Sequence, residues 1–468
     1  MNNSEQHRVL IYAIRGTEDW WKSVGNHLNI GSSYVVSDIK GQGDFNVVED
    51  FYKAYNFHKS SEKNSSDLLD VKTVNEILAR CRVLRCLDRK TAIPMALAMA
   101  DAFEIVLKHV KPTVILSFPI DRYVSDVLEY LARAHGIPYF ELTVSPLPGM
   151  AMLTRKGTLF VRDEDPVVEM VDDYVARLVK TSFVPAYAQG ISNFSLLRFL
   201  KIFFYWRIRG FAFKLISLVK RDPLNLHYLD SQAFLEHKVT LRDSRILKLC
   251  DYGWREKLAD FKSVKTVLFG LTVFPEASID YWVKQLDLIK YEEMMLEAAQ
   301  VFSRAGYLVL VKDHPQQFGF RKKGFVEQLV KLKNVIFLPY EVSANEVLSI
   351  CDTNFTCTGT LGLQSALIGK TSIAIKNYYS LSGDFVHYTE LSGIAKLPLR
   401  PPSTISGEKL KLRQRRIVSN LLKGSFECDF FSFQSFKPKV TSPAVGHLGI
   451  ALGKELKIHL KNIESGGS

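Results

Sequence analysis

The chain has 468 residues, of which 47% are hydrophobic and 24% are charged. These are ordinary values for a globular protein, so they exclude disordered, collagenous and fibrous chains. The length predicts two domains or one large α/β unit. Lysine and arginine total 61 against 49 acidic residues, which gives a formal net charge of +12. This excess favours an anionic partner such as nucleic acid, a phosphorylated small molecule or an acidic membrane surface.

The sequence does not predict a signal peptide, a transmembrane helix or a disulfide framework. The first apolar run, 8–14, is short and is followed by Arg15, which favours a β-strand over a signal peptide. No stretch of about 18 apolar residues is free of charge, so no transmembrane helix is predicted. The six cysteines have no CxxC pair and no zinc-type spacing with histidine, which favours a reducing compartment. We therefore expect a cytoplasmic protein, free or peripherally attached to a membrane.

Apolar strand-like runs alternate with helical patterns along both halves of the chain, which is typical of βαβ units. In the first half the predicted elements are strands 8–14, 34–39, 113–118 and 137–143 and a helix near 122–135. In the second half they are strands 265–271, 307–315, 334–340, 353–359 and 370–376 and a long helix near 279–305. The fold class expected is α/β, with two Rossmann-like domains whose parallel sheets face an interdomain cleft. Ligands of such sheets bind beyond the C-terminal ends of the strands.

Four segments are expected along the chain. The two Rossmann-like domains are assigned to 1–185 and 261–425, and a linker that contains a basic helix to 186–260. The last segment, 426–468, is expected to pack back on the first domain.

The linker carries an unusual charge pattern. Residues 194–221 include seven basic residues and no acidic one. On a helical wheel all the basic residues except Lys201 fall in one half. The other half consists of Phe194, Leu197, Leu200, Phe204, Ile208, Phe211, Leu215 and Leu218.

A helix of this kind can lie in an anionic lipid interface, where basic residues near the surface add attraction. The residues expected at the membrane are Arg198, Phe203, Phe204, Trp206, Arg207, Arg209 and Phe211. The alternative is an interdomain helix buried against the second domain, with basic side chains that reach towards solvent.

A carboxylate follows the predicted strand 265–271. The sequence Pro275-Glu276-Ala277-Ser278 places Glu276 just before a helix, where the helix dipole favours its ionised form. An ionised carboxylate at this edge can act as a nucleophile, a general base or a stabiliser of an oxocarbenium ion. The alternative is an ordinary helix cap.

The strand that begins at 307 ends in Lys312-Asp313-His314-Pro315. Proline keeps the preceding residue extended, so His314 is expected to project from the strand end. It could donate a hydrogen bond to a phosphate or leaving-group oxygen, with added charge from Lys312. A structural histidine is the alternative.

A small-residue turn follows the strand that begins at 353. Thr358, Gly359 and Thr360 supply hydroxyls and backbone N–H groups at a helix N-terminus, which suits a phosphate. Neither a Walker loop nor a GxGxxG motif is present. A plain N-cap formed by Thr358 or Thr360 is the alternative.

In their order and spacing these three motifs, over about 110 residues, resemble the bacterial capsule and surface-polysaccharide biosynthesis proteins of the GT-B glycosyltransferase type, which include Kdo (3-deoxy-ulosonic acid) transferases. The third motif continues into Gln364-Ser365-Ala366-Leu367 and Gly369-Lys370, as in that family. Two departures are Asp313, where glutamate is commoner, and Gln364, where some relatives have an acid.

The resemblance implies a donor sugar activated by a nucleoside phosphate, with CMP linked to Kdo or to a nonulosonic acid of the sialic, pseudaminic or legionaminic type as the expected donor. It implies that the donor phosphate meets His314, Lys312, the turn of Thr358, Gly359 and Thr360, and Ser365. The acceptor is expected to be a surface-polysaccharide or lipid-linked glycan on the N-terminal domain. No cofactor and no metal are expected.

The N-terminal half resembles the same family more faintly, through 77–92 and 137–150. Asp121 and Glu141 are expected on the crevice side, where either could activate the acceptor hydroxyl. As alternatives, Asp121 caps a helix that begins at Arg122 and Glu141 forms a salt bridge. Arg15 and Gly16 are expected beside the acceptor because they follow the first strand.

One further motif matches a known metal-binding pattern but also has an ordinary structural explanation. Asp163-Glu164-Asp165 matches the DxD pattern of metal-dependent glycosyltransferases, but Asp165-Pro166 is also typical of the start of a helix, predicted near 166–180.

Three other functions remain open from the sequence. The donor could carry UDP, GDP or CDP, since base-reading residues are not identifiable. The chain could be a non-catalytic membrane adaptor of polysaccharide assembly. Nucleic-acid binding is disfavoured, because the basic residues outside 194–221 match no recognised motif.

Overall fold

A computed structural model of the chain describes residues 6–180, 194–229, 239–261, 264–397, 405–428 and 443–465. They form two compact units. Unit 1 consists of residues 6–165, 217–229, 422–428 and 443–465, and unit 2 of residues 166–180, 194–216, 239–261, 264–397 and 405–421. The expected boundaries differ from these, because 166–180 belongs to unit 2 and 217–229 to unit 1.

The strands alternate with helices in both units. The strands are β1 (His7–Ala13), β2 (Gly31–Ser37), β3 (Phe45–Asn46), β4 (Val114–Ser117), β5 (Tyr139–Val144), β6 (Met150–Arg155), β7 (Thr158–Leu159), β8 (Thr266–Gly270), β9 (Leu308–Lys312), β10 (Val335–Phe337), β11 (Thr353–Thr356), β12 (Thr371–Ala374), β13 (Val386–His387) and β14 (Ser425–Glu427). The helices are α1 (Glu18–Asn26), α2 (Val48–Ser61), α3 (Val71–Arg80), α4 (Arg89–Val110), α5 (Tyr123–Ala134), α6 (Val168–Leu178), α7 (Leu196–Val219), α8 (Trp254–Asp260), α9 (Ala277–Asp280), α10 (Tyr291–Arg304), α11 (Lys323–Val330), α12 (Ala344–Ile350), α13 (Leu361–Leu367), α14 (Leu391–Ile394), α15 (Gly407–Lys423) and α16 (Pro443–Glu464).

Each unit is built on one sheet with parallel strands. In unit 1 the order is β14-β6-β5-β4-β1-β2-β3, parallel from β5 to β3, with β6, β7 and β14 antiparallel at one side. In unit 2 the order is β10-β9-β8-β11-β12-β13 and every pair is parallel. Both follow the Rossmann pattern, in which the first strand of the unit lies centrally and the chain winds outwards on either side. The predicted α/β class with two parallel-sheet Rossmann-like domains is confirmed.

The prediction of one long helix near 279–305 is wrong. The segment is a short helix, α9, then a 3-10 turn at Leu286–Ile289, and only then α10. Ile279, Val283 and Leu288 are all buried in the core of unit 2. Tertiary burial of these side chains outweighs the helical propensity of the segment.

The basic helix α7 packs one face on unit 2. Phe199 is fully buried in the core of that unit, and Phe203 packs against the same core. Arg207 lies over the ring of Phe203 and donates to the carbonyl of Val239 at 2.6 Å. Arg209 lies over the ring of Trp206 at 4.8 Å.

Most of the residues expected at the membrane are only half-exposed, and their contact with a membrane stays a prediction. The residues turned at least partly towards the protein are Arg198, Phe203, Trp206, Arg207 and Arg209, whereas Phe204 and Phe211 are exposed. The physical reason is that the arginines lie over aromatic rings, with Arg198 over Phe194 and Phe318, which offsets the cost of removing them from water. Among the described helices, none combines the length and apolar character needed to cross a bilayer.

The C-terminal helix α16 completes the core of unit 1. Its Leu448, Leu452 and Leu456 are buried in the same cluster as Trp20 and Trp21 of α1. The two helices approach closely because glycines of α16 lie where they cross. A Cβ atom on Gly449 would lie 2.7 Å from the carbonyl oxygen of Val24, and one on Gly453 would lie 1.8 Å from that of Leu28.

This contact predicts that two glycine substitutions in the same helix differ strongly in their effect on folding stability. Gly453→Ala forces backbone atoms apart, so we expect the free energy of unfolding to fall by about 1–3 kcal/mol. Gly446→Ala is the matched control, because its Cβ would lie 3.4 Å from the nearest atom of His27. Urea unfolding of both variants measures the difference. Equal stability of the two variants would contradict the close crossing.

Candidate active site

The three sequence motifs of unit 2 lie on neighbouring strands. The loops that follow β9, β8 and β11 carry His314, Glu276 and Thr358, respectively. Strands β9, β8 and β11 are adjacent and parallel, so their C-terminal ends lie along one edge of the sheet. This edge is where ligands of doubly wound sheets bind.

A chain of hydrogen bonds joins the loop after β8 to the turn after β11. The Thr358 hydroxyl donates to the Ser278 hydroxyl at 2.8 Å. The Ser278 hydroxyl donates in turn to Glu276 Oε2 at 2.9 Å. Glu276 is half-buried and precedes α9 with an extended backbone. Its side chain forms no cap hydrogen bond to α9, so the ordinary-cap alternative does not describe its carboxylate.

Gly359 lies where there is little room for a side chain. A Cβ atom at this position would lie 2.8 Å from Thr356 Oγ1 and 2.9 Å from Thr272 Cγ2. Its carbonyl accepts a hydrogen bond from the Tyr379 hydroxyl at 2.7 Å. The turn therefore needs glycine for space, and it is held from the far side by a tyrosine.

His314 is positioned as a hydrogen-bond donor. Its Nδ1 accepts from the backbone N–H of Gln316 at 3.2 Å, so we infer that the neutral ring carries its proton on Nε2. No other hydrogen bond is made by the imidazole within the described residues. Burial lowers the pKa of His314 below its usual value, although the nearby Asp313 acts in the opposite direction. At neutral pH the ring is therefore uncharged and can donate from Nε2.

A buried ion pair supports this histidine. Arg321 and Asp313 are each 1% exposed, and Arg321 Nη2 lies 2.8 Å from Asp313 Oδ1. The same Oδ1 accepts the backbone N–H of His314 at 2.9 Å. Asp313 Oδ2 accepts from the Tyr340 hydroxyl at 2.7 Å. The carboxylate thus fixes the start of the histidine turn, and it is fully engaged by neighbours.

The same arginine reaches the loop that carries Glu276. Arg321 Nη2 also donates to the Thr272 carbonyl at 2.8 Å. Close by, Gln317 pairs with the backbone of Phe274, accepting from its N–H at 3.0 Å and donating to its carbonyl at 2.8 Å. Both contacts join the loop after β9 to the loop after β8, so the positions of His314 and Glu276 are set together.

Lys312 is buried beneath the loops, a position that disfavours the expected phosphate contact. The side chain is 4% exposed, and Nζ donates to the carbonyls of Asp313 and Tyr340 at 3.0 and 3.1 Å. Burial lowers its pKa, and Asp313 acts against that change. The ammonium group is engaged beneath the loops by backbone oxygens and is not presented to a ligand.

The position of Ser365 also disfavours its expected role in donor binding. It is fully buried inside α13, and its hydroxyl donates to the carbonyl of Thr371. Thr360 lies at the cap position of α13, but its side chain forms no cap hydrogen bond. Thr358, Gly359 and Thr360 therefore remain as the small residues at the sheet edge.

In unit 1 Glu141 is not at the edge where it was expected. It lies inside β5, is fully buried, and accepts from the Lys156 backbone N–H at 2.9 Å and the Thr154 hydroxyl at 3.2 Å. Burial raises its pKa to about 7. The enclosure of this carboxylate by its own sheet disfavours the predicted catalytic role.

Asp121 follows β4, but it does not cap α5. Its two oxygens accept from Arg122 Nε and Nη2 at 2.8 and 3.2 Å, and the cap position belongs to Arg122. Burial opposes its ionisation, but the guanidinium groups of Arg122 and Arg82 hold the pKa of Asp121 below its usual value. The paired carboxylate is therefore ionised and a weak base.

Arg15 and Gly16 follow β1, which ends at Ala13. Arg15 is exposed and lies over the Tyr228 ring at 5.6 Å. The N–H of Gly16 donates to Glu18 at 2.7 Å. Their expected contact with an acceptor stays a prediction.

Sequence reasoning missed one carboxylate at this edge. Asp38 directly follows β2 and is 7% exposed, and burial raises its pKa to about 6 in spite of the nearby Arg122. The side-chain amide of Asn225 donates to its backbone carbonyl at 2.7 Å. The sequence did not show its place after a strand, because the predicted strand 34–39 contained it, whereas β2 ends at Ser37.

The DxD-like residues show no metal-site geometry. Asp165 pairs with Lys423 at 2.7 Å, and α6 begins at Val168, with Val167 at its cap, two residues later than expected. Within the ranges that the structure covers, no cluster of three histidine, cysteine or acidic residues could hold a metal ion.

Comparisons with known proteins add weak similarities. No family model and no curated protein matches the chain. A solved β-Kdo 2,7 transferase, Thermosulfurimonas dismutans KpsC, is 12% identical over 78% of this chain and 89% of that chain, with a TM-score of 0.31. Its β-Kdo 2,4 transferase is 17% identical over 72% and 87%, with a TM-score of 0.32. A glycosyltransferase from Rickettsia africae is 10% identical over 97% and 99%, with a TM-score of 0.28. Similarity this weak carries no conclusion about the activity of this chain.

The buried ion pair of Asp313 and Arg321 predicts a large loss of folding stability when either partner is removed alone. Arg321→Met leaves the Asp313 charge uncompensated, so we expect the free energy of unfolding to fall by about 3–5 kcal/mol. The double variant Asp313→Asn, Arg321→Met should lose much less than the sum of the two single changes. Arg304→Met, at an exposed position in the same unit, is the control. Chemical unfolding measures all four, and a loss for Arg321→Met as small as that of the control would contradict the assignment.

Glu141 predicts a pH dependence of stability. Its pKa is about 7 in the folded protein against an ordinary 4.5, so the folded state binds the proton more tightly. The stability that this group contributes is complete below about pH 4.5 and is lost as the pH rises through 7. Glu141→Gln should therefore gain in melting temperature relative to the wild type between about pH 5 and about pH 8.

The exposed Glu164→Gln serves as the control for that experiment. Its melting temperature should change between about pH 5 and about pH 8 as that of the wild type does. If Glu141→Gln also runs parallel to the wild type, the raised pKa is refuted.

Proposed function

We propose that the chain is a glycosyltransferase that moves a sugar from a nucleotide-activated donor, with the donor bound by unit 2. The observation that carries this proposal is the hydrogen-bonded arrangement at one sheet edge. A carboxylate, Glu276, is linked through Ser278 to Thr358, and the same loops are fastened to the turn of His314. This arrangement offers an acid–base group, hydroxyls and a neutral N–H donor where doubly wound sheets bind ligands.

The proposed donor is a CMP-activated Kdo-like or nonulosonic acid sugar, and the proposed acceptor is a surface-polysaccharide or lipid-linked glycan. The sequence motifs around Glu276, His314 and Thr358 support the donor class through the resemblance stated above. Nucleic acid is not a proposed partner. No cofactor or metal ion takes part in the proposed reaction, and turnover in the presence of a chelator tests that point.

In the reaction the bond between C2 of the sugar and the phosphate oxygen breaks, and CMP leaves with the electron pair. Negative charge therefore grows on the phosphate. The Nε2–H of His314, the hydroxyl of Thr360 and the backbone N–H groups of Gly359 and Thr360 are proposed to stabilise that charge more strongly in the transition state than before it. A neutral imidazole suits this role because it donates a proton in a hydrogen bond without needing to titrate.

Glu276 is proposed to act on the sugar or the acceptor. In a reaction with retention its carboxylate bonds to the anomeric carbon as CMP leaves, and it is then displaced by the acceptor oxygen, whose proton passes to the CMP phosphate. In a reaction with inversion a carboxylate takes the acceptor hydroxyl proton as the oxygen attacks directly. The anomeric configuration of the product distinguishes the two courses.

The acceptor is assigned to unit 1, at the C-terminal ends of β1, β2 and β4. Arg15 and Gly16 are exposed there, and Asp121 and Asp38 follow β4 and β2. Of the two carboxylates, Asp38 is the better candidate for a base, because its pKa of about 6 lies nearer neutrality. Asp121 is held ionised by Arg122 and is better suited to hydrogen bonding.

Variants of the two central residues test the site. His314→Ala removes a hydrogen bond to a charged phosphate, so CMP affinity should fall about tenfold and turnover about 10²–10³-fold. Glu276→Gln should reduce turnover about 10²–10⁴-fold with little change in CMP affinity. Calorimetry with CMP, UDP, GDP and CDP measures binding, and release of CMP from the donor measures turnover.

Gln316→Ala and Glu293→Gln are the matched controls. Both side chains are exposed, and Gln316→Ala keeps the backbone N–H that bonds to His314. Wild-type turnover in both Glu276→Gln and His314→Ala would refute the site. Binding of UDP or GDP in place of CMP would refute the donor, and no saturable binding of any nucleotide would favour an adaptor.

A further inference from the structure

The outer face of α7 is apolar and uncovered. The residues that form it are Leu197, Phe204, Ile208, Phe211, Leu215 and Leu218, hereafter the outer ridge, and all are exposed. Leu197 is 79% exposed, Ile208 66% and Phe211 68%. Isolated exposed apolar residues are ordinary on protein surfaces, but a continuous row marks a place of contact.

The spacing of the outer ridge makes it one stripe. Successive members are seven, four, three, four and three residues apart, which keeps them on one side of an α-helix. At about 1.5 Å per residue, the stripe runs for roughly 30 Å. It is therefore a long, narrow surface and not a pocket.

The charge around the ridge is of one sign. Residues 194–221 contain no acidic side chain, and Lys201, Lys214, Lys220 and Arg221 are exposed on or beside the helix. A partner that covers the ridge must therefore tolerate or prefer a positive border. An anionic lipid surface meets both demands, because it accepts apolar side chains at the acyl boundary and attracts lysine and arginine.

A second copy of the chain fits less well. The ridge has the spacing of a coiled-coil seam, and such seams need opposite charges at their flanks. Here every charged flanking residue is basic, so two ridges would bring like charges together. The charge pattern favours lipid over self-association.

We propose that the outer ridge of α7 inserts into the interface of an anionic membrane, with the helix parallel to the surface. The aromatic and aliphatic side chains enter the acyl boundary, and the exposed lysines meet the headgroups. Arg207 and Arg209, which lie over rings of their own helix, stiffen the helix from its protein side. The proposal is independent of the reaction proposed above, since it concerns a different surface.

Flotation of the full chain with vesicles tests the proposal. The wild type should float with phosphatidylglycerol vesicles and much less with phosphatidylcholine vesicles, and rising salt should weaken the association. The double variant Ile208→Ser, Phe211→Ser should bind phosphatidylglycerol at least about tenfold more weakly, because two apolar side chains no longer leave water. Lys201→Gln, Lys220→Gln should reduce the preference for phosphatidylglycerol.

The matched control is Phe57→Ser, Ile105→Ser in unit 1. Phe57 is 61% exposed and Ile105 52%, so the same residue types are lost at similar exposure away from α7. The control should float like the wild type. Thermal unfolding of all variants should coincide with that of the wild type, because no buried contact is removed.

Three outcomes would overturn the proposal. The first is equal flotation of the ridge variant and the wild type, and the second is failure of the wild type to bind either vesicle. The third is a lipid-free dimer in sedimentation that the ridge variant converts to monomer, which would assign the ridge to a second copy. Turnover on a soluble acceptor should be unchanged in the ridge variant, so its outcome is separate from the test of the active site.

Discussion

The pair of Asp313 and Arg321 is the constraint on which the candidate site depends. Both side chains are buried, and between them they hold the start of the histidine turn, the Tyr340 hydroxyl and the carbonyl of Thr272. A charge pair out of water contributes little net stability unless all its hydrogen-bonding groups are used. Its value here is positional, because the loops after β9 and β8 cannot move apart without exposing a charge. The spacing of His314 and Glu276 is therefore a property of the unit 2 interior rather than of either loop.

The regular part of this site could be predicted from the sequence. Apolar runs gave the strands, and parallel strands bring the residues that follow them to one edge, so His314, Glu276 and Thr358 could be placed together. Which side chain of a strand end faces the ligand could not be predicted. Lys312 and Asp313 are neighbours, yet Lys312 turns beneath the loops and Asp313 turns to an arginine.

The residues that support the site from beneath could not be recognised in the sequence, because they stand in segments that look like solvent-exposed surface. Arg321 stands in the run Arg321-Lys322-Lys323, which has the pattern of a solvated basic surface, and only the tertiary position of Asp313 buries it. Helix α7 shows the same limit. The helical wheel separated its apolar and basic halves. A wheel gives only the angles between residues around the helix axis, so it does not show which face packs on the rest of the protein. Aromatic rings at Phe203 and Trp206 gave the arginines an inner surface to lie on. Of the apolar half, Phe194 and Leu200 pack on the core of unit 2, and the other six residues are exposed.

The close crossing of α16 and α1 has a consequence for how the chain is made. Unit 1 begins with β1, but the helix that covers Trp20 and Trp21 follows unit 2 in the chain. Between Asp165 and Pro443 the ribosome adds roughly 280 residues, which at about 5–20 residues per second takes tens of seconds. During that interval all of unit 2 emerges while one flank of unit 1 is bare. The nascent chain therefore offers an apolar, tryptophan-bearing surface to chaperones, and that surface closes only after α16 has been synthesised.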